Sequence, residues 1–176
     1  MSFDPALLVV PGVRSLQPYQ PGKNIEELER ELGISGIVKL ASNENPRTPS
    51  ASVGRAVTQM LPELSRYPDG GGFYLKQALA DQLAVAPGQI TLGNGSNDVL
   101  ELITRAFVQP GQGVIVSQHS FAVYTLAAKS VGANLRVVPA THWGHDLDGM
   151  AEVVDSETRI IFIANPNNPT GTWVSR

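Results

Sequence analysis

Pro110-Gly-Gln-Gly-Val-Ile-Val116, Phe121-Ala-Val-Tyr-Thr-Leu-Ala-Ala-Lys-Ser-Val131 and Leu135-Arg-Val-Val138 follow one another closely in the second half of the chain. The triplet Val114-Ile-Val116 shows no polar alternation, which is the pattern of a strand covered on both faces. Residues 121–131 read as a helix closed by Gly132, and Leu135 to Val138 as the next strand. A strand, a helix and a strand in that order make a parallel crossover.

The alternation extends in both directions. Upstream lie a helix with Leu75, Leu79 and Leu83 on one face, a short strand Ile90-Thr-Leu92, the loop Gly93-Asn-Gly-Ser-Asn-Asp98, and a helix carrying Val99, Leu102, Ile103 and Ala106. Downstream lie a helix from Asp148 to Val154 and the apolar strand Ile160-Ile-Phe-Ile163. The expected fold is α/β, a mostly parallel sheet with helices on both faces. Before it, Pro5, Pro11, Gly12, Pro18, Pro21 and Gly22 discourage regular structure and imply an extended arm. A short helix is then expected, capped by Asn24, with Ile25, Leu28 and Leu32 on one face and Gly33 as its stop. Ile37-Val-Lys-Leu40 reads as a strand, and Val53, Val57, Met60 and Leu61 as a helix that runs until Pro62.

Composition narrows the function. The 176 residues carry a net charge of -3, so no positive field exists to hold a nucleic acid backbone. The longest apolar runs, such as Ile160 to Ala164, fall far short of the roughly 20 residues that cross a bilayer. With no secretory pattern at the start, a cytoplasmic location is expected. Without cysteine there is no disulfide, thiolate zinc site or cysteine nucleophile. His119, His142 and His145 lack the spacing of a helical metal pair, and His142 and His145, beside Gly144, read as residues of a solvated loop rather than a metal site.

Three segments can carry chemistry. Gly93 to Asp98 joins a strand to a helix, where free amides and the helix dipole favour a phosphate; a tight turn capped by Ser96 or Asn97 is the alternative reading. Asp98 stands where a dinucleotide fold needs a third glycine, and Ser117-Gln118 where it needs an acid, which argues against NAD. Asn165-Pro-Asn-Asn-Pro-Thr-Gly171 follows a buried strand at the edge where open α/β sheets bind ligands, and sets its amides on a rim stiffened by proline. Ser120-Phe-Ala-Val-Tyr124 offers flat aromatics at the same kind of exit, although by residue type alone Phe121 and Tyr124 read as readily as core residues at the start of a helix.

In this order these segments resemble the aspartate-aminotransferase-like, fold type I enzymes that depend on pyridoxal phosphate, and within them the histidinol-phosphate branch. Pro18-Tyr-Gln-Pro-Gly22, Leu40-Ala-Ser-Asn-Glu-Asn-Pro46, Arg66-Tyr-Pro-Asp69, Leu92 to Asn97, the Phe-x-x-Tyr at 121–124 and Asn165 to Gly171 carry the resemblance. It implies that Gly95, Ser96 and Asn97 cradle the cofactor phosphate, that Phe121 stacks on the pyridine ring and that Asn168 bonds its phenolic oxygen. It further implies that the Asn168-Pro169 bond is cis, that Tyr124 supports the carboxylate partner of the ring nitrogen, and that Tyr19 closes over the substrate. Tyr67 would cross a homodimer interface to the neighbouring phosphate.

The resemblance implies a ping-pong transfer of an amino group from a small-molecule donor, L-histidinol phosphate, to the 2-oxo acid 2-oxoglutarate in histidine biosynthesis. Threonine-phosphate decarboxylases and aromatic aminotransferases share the Asn-Glu-Asn-Pro arm, and a non-catalytic binding module on the same scaffold is a further alternative. It also implies a division into residues 1–36, an arm and small-domain segment, and 37–176, part of the large domain. Arg47-Thr48 departs from the usual apolar residue and glycine after that arm. Lys23, Lys39, Lys76 and Lys129 all lie outside the context of the family's imine lysine, which is expected beyond Arg176, so this stretch alone is expected to be inactive.

Overall fold

The computed structural model describes residues 8–17 and 22–175. They form two compact units, one of residues 22–90 and one that joins residues 8–17 to 91–175. Tyr19 lies outside the described residues.

In chain order the helices are α1 (Pro11–Arg14), α2 (Ile25–Leu32), α3 (Ala51–Met60), α4 (Phe73–Leu83), α5 (Ser96–Phe107), α6 (Ala122–Ser130) and α7 (Leu147–Glu152). The strands are β1 (Gly113–Ser117), β2 (Asn134–Val138) and β3 (Thr158–Ile161). Among the described residues they make one parallel sheet in the order β2-β1-β3, with Val114 opposite Leu135 on one side and Ile160 on the other. The expected α/β architecture is therefore present, built on the strand-helix-strand unit at 113–138.

β1 is the centre of this unit, and all five of its residues are buried. Its side chains alternate between two layers. Val114 and Val116 pack with Val108, Ala128 and Phe162 on one face, while Ile115 packs with Val138 and Met150 on the other. Helices thus cover both faces, as a parallel sheet requires.

In the other unit α2 forms as its sequence suggests. Asn24 Oδ1 accepts the Glu27 amide at 2.8 Å, and Gly33 ends the helix in the left-handed region at φ 65°. Helix α3 likewise covers the expected run, but the chain continues through Pro62 as a 3₁₀ turn, Leu61–Glu63. Proline fits the first turn of such a segment because its missing N–H would be unpaired there anyway.

Two expected strands are absent. Residues 37–40 and 90–92 have no strand pairing, and Val38 and Leu40 are exposed. Apolar side chains can suggest a strand, but a ladder needs a neighbouring backbone, and none of the described residues pairs with either segment.

The ion pair between Arg136 and Asp155 fastens the sheet unit. Arg136 of β2 bonds the Val153 carbonyl at 2.5 Å and the Asp155 carboxylate in the α7–β3 link. That Arg136 hydrogen bond, helped by Thr158 and the Glu157 amide, holds the Asp155 carboxyl at about 2, below the ordinary 3.8. The folded form therefore binds the proton less readily than the unfolded chain. The stabilisation is complete above the unfolded value and is lost as pH falls through about 2. Thermal melts between pH 6 and 2 should show Asp155→Asn melting lower than wild type at the upper end and converging with it at the acid end. Parallel profiles would contradict this role.

Candidate functional site

The site is built at the edge where the parallel strands end. β1 leads into His119 and Phe121, and β3 leads into 165–171. Helix α5 feeds β1 through residues 108–112, so it runs back along the sheet and its N-terminus faces this same edge.

That N-terminus is open. Gly95 adopts φ 84° and ψ 175°, a conformation essentially confined to glycine, and among the described residues no side chain caps the helix. The alternative reading, a turn capped by Ser96 or Asn97, is not what forms, because both already lie in the first helical turn. Asp98 instead turns its carboxylate back to accept the Asn94 amide at 3.1 Å. The first N–H groups of α5 lack intrahelical partners by geometry, and Gly95, Ser96 and Asn97 are exposed. Amides, a hydroxyl and a carboxamide at a helix N-terminus match the oxygens of a phosphate dianion.

Phe121 is half-buried at the start of α6 and meets Tyr124 edge-on, with ring centroids 5.9 Å apart. Tyr124 lies parallel to Phe162 at 4.6 Å, and burial pushes its phenol above the ordinary value. The aromatic pair is thus anchored in the core at one end and presents Phe121 at the other, where a flat ring could stack.

The segment after β3 folds into a turn, and both of its Asn-Pro bonds, 165-166 and 168-169, are cis. The Gly171 amide returns to the Asn167 carbonyl at 2.8 Å, and Asn165 exchanges hydrogen bonds with Val174 across the turn. Asn168 is half-buried on this turn. The neighbouring Asn167 is buried and bonds the His119 carbonyl at 2.9 Å, which ties the Asn168 turn to the Phe121 segment. The sequence singled out the motif but not Asn167, since two adjacent asparagines cannot be ranked by residue type.

Of the two histidines expected in a solvated loop, His142 is exposed; His119, in the segment after β1, lies against the Trp143 ring at 4.7 Å. His145 is half-buried and its Nε2 meets the Ala164 carbonyl at 2.8 Å. A carbonyl can only accept, so Nε2 carries the proton, and Nδ1 is left buried without a partner among the described residues. Tyr67 belongs to the other unit, where its side chain is fully exposed beside Arg66 and Pro68.

Residues 35–176 match the family model for aminotransferases of class I and II. The chain is 55% identical over 98% of its length to histidinol-phosphate aminotransferase 2 of Pseudomonas fluorescens strain Pf0-1, of which it covers 47%. It is 56% identical over 98% of its length to histidinol-phosphate aminotransferase 1 of Idiomarina loihiensis, again covering 47%. The chain spans about half the length of the curated relatives it matches. Its fold superposes with a TM-score of 0.80 on a histidinol-phosphate aminotransferase from Sinorhizobium meliloti in complex with pyridoxal 5'-phosphate, at 32% identity over 93% of this chain and 44% of that one. The strand exits, the open α5 terminus and these likenesses agree: the chain belongs to the class I and II aminotransferase family.

Proposed function

We propose that the protein containing this chain is a histidinol-phosphate aminotransferase that uses pyridoxal 5'-phosphate, and that this chain supplies the phosphate and ring contacts of its site. The similarity to relatives of that name across 98% of the chain carries this reading. When bound, the cofactor would supply the electron sink for removing a proton from the carbon that bears the amino group.

The chain's own residues hold and orient. Gly95, Ser96 and Asn97 offer N–H and side-chain donors to the phosphate, at the positive end of α5. Phe121 limits the ring to one plane and keeps water from that face. Asn168 donates to the phenolic oxygen, and Tyr124 backs the ring-nitrogen end from its anchored position on Phe162. Tyr67 reaches the neighbouring phosphate in a homodimer, for which its full exposure leaves it free. Tyr19 covers the substrate. The division into an arm and small-domain segment, 1–36, and a large-domain part, 37–176, belongs to the same reading, as does a cytoplasmic location. Among the described residues no helix is long and apolar enough to cross a membrane.

The test is glutamate formation by the full-length protein, loaded with pyridoxal phosphate, from L-histidinol phosphate and 2-oxoglutarate. Glutamate should appear with that donor and far more slowly with L-phenylalanine. Preferred turnover of L-phenylalanine, or decarboxylation of L-threonine phosphate, would overturn the substrate assignment.

A further inference from the structure

Asn167 is 4% exposed, and both protons of its amide nitrogen are committed. One goes to the His119 carbonyl at 2.9 Å and the other to Thr170 Oγ1 at 2.8 Å. The first bond crosses 48 positions of sequence. It joins the segment after β1, which presents Phe121, to the turn after β3, which presents Asn168. The second bond closes that turn, together with the Asn167 amide on the Thr172 carbonyl at 2.7 Å.

These partners fix the orientation of the carboxamide. Reversed, its oxygen would face the His119 carbonyl oxygen, which can only accept. Oδ1 is consequently left buried with no partner among the described residues. An apolar side chain of similar shape would spare this buried acceptor but would leave the His119 carbonyl without the donor that ties the two loops together. An aspartate would nearly match the shape but would carry no donor, and its charge would sit against a carbonyl oxygen.

We infer that Asn167 is a positioning residue for the bound cofactor: through the His119 carbonyl it sets the spacing between Phe121 and Asn168. This rests on the pyridoxal phosphate reading of the site. A flat ring held between a stacking aromatic on one loop and a hydrogen-bond donor on another is sensitive to their separation, and the Asn167 side chain bridges the two loops directly.

The test measures pyridoxal phosphate affinity by equilibrium dialysis, and ring seating by the induced circular dichroism of the bound cofactor, in the full-length protein. Asn167→Asp should weaken affinity roughly tenfold, the scale of losing a positioned hydrogen bond, and should change the dichroic band. Asn167→Ser, too short to reach both partners, is read the same way if the aspartate variant does not fold. Met150→Ala, which loosens the opposite face of the sheet, should lower the melting temperature and leave affinity and band as in wild type. Unchanged affinity and band in the Asn167 variants would overturn this inference alone, and so would an equal loss in Met150→Ala. A wild-type protein that binds no pyridoxal phosphate would overturn the cofactor reading and this inference with it.

Discussion

Gly12→Ala is expected to release the N-terminal segment from the end of α6. A Cβ at position 12 would lie 2.0 Å from the Lys129 carbonyl oxygen, 3.2 Å from its carbon and 3.6 Å from the Gly132 Cα. All three are backbone atoms, and the Lys129 carbonyl already accepts the Gly132 amide at 3.0 Å, so no flexible side chain can move aside. Overpacking of this kind costs about 1–3 kcal/mol when the structure must shift to absorb it. The cheapest shift is to lift α1, a helix of four residues, away from α6. Hydrogen exchange should then lose protection at Val13 and Arg14, whose amides bond the Val10 carbonyl, while β1 stays protected. Gly54→Ala is the matched comparison: it lies inside α3 with none of the described residues within 4 Å of its added Cβ, and should be neutral or stabilising by about 0.5–1 kcal/mol. Equal effects of the two substitutions would contradict the close approach.

Gly95→Ala is expected to damage stability and ligand affinity together. Space is not the obstacle, since none of the described residues lies within 4 Å of the added Cβ. The cost is conformational, because φ 84° with ψ 175° is closed to side chains, and holding alanine there costs about 1–3 kcal/mol. The backbone can escape only by rotating the peptide that leads into α5. That rotation redirects the amides of Ser96 and Asn97, the donors assigned to the phosphate. Inorganic phosphate and pyridoxal phosphate should both bind more weakly to the full-length variant, and its melting temperature should fall. Unchanged affinity beside a lowered melting temperature would separate the strain from the binding role.

The same contrast between space and conformation explains what could be read in the sequence. The crossover at 113–138 was legible because an apolar triplet, a helix ended by glycine and a second apolar run each specify a local state, and together they specify a parallel pairing. Asn24 and Gly33 were legible as helix ends for the same local reason. Residues 37–40 and 90–92 were not, since a strand is a pairing and their apolar pattern carries no information about a neighbour. Helix α3 shows the reverse: its period was clear, yet Val53, Val57 and Met60 are exposed. Within the site, the motifs 93–98 and 165–171 announced themselves by residue type, and 121–124 only through the family resemblance. Gly12 and Asn167 did not, because the need for glycine at one and a carboxamide at the other comes from backbone atoms more than forty residues away in sequence.

A crystal structure of the full-length protein with pyridoxal phosphate tests the central claim most directly. The phosphate should lie within hydrogen-bond distance of the Ser96 and Asn97 amides, with the ring against Phe121 and its phenolic oxygen on Asn168. A phosphate bound away from the start of α5, or a ring that touches neither Phe121 nor Asn168, would contradict it.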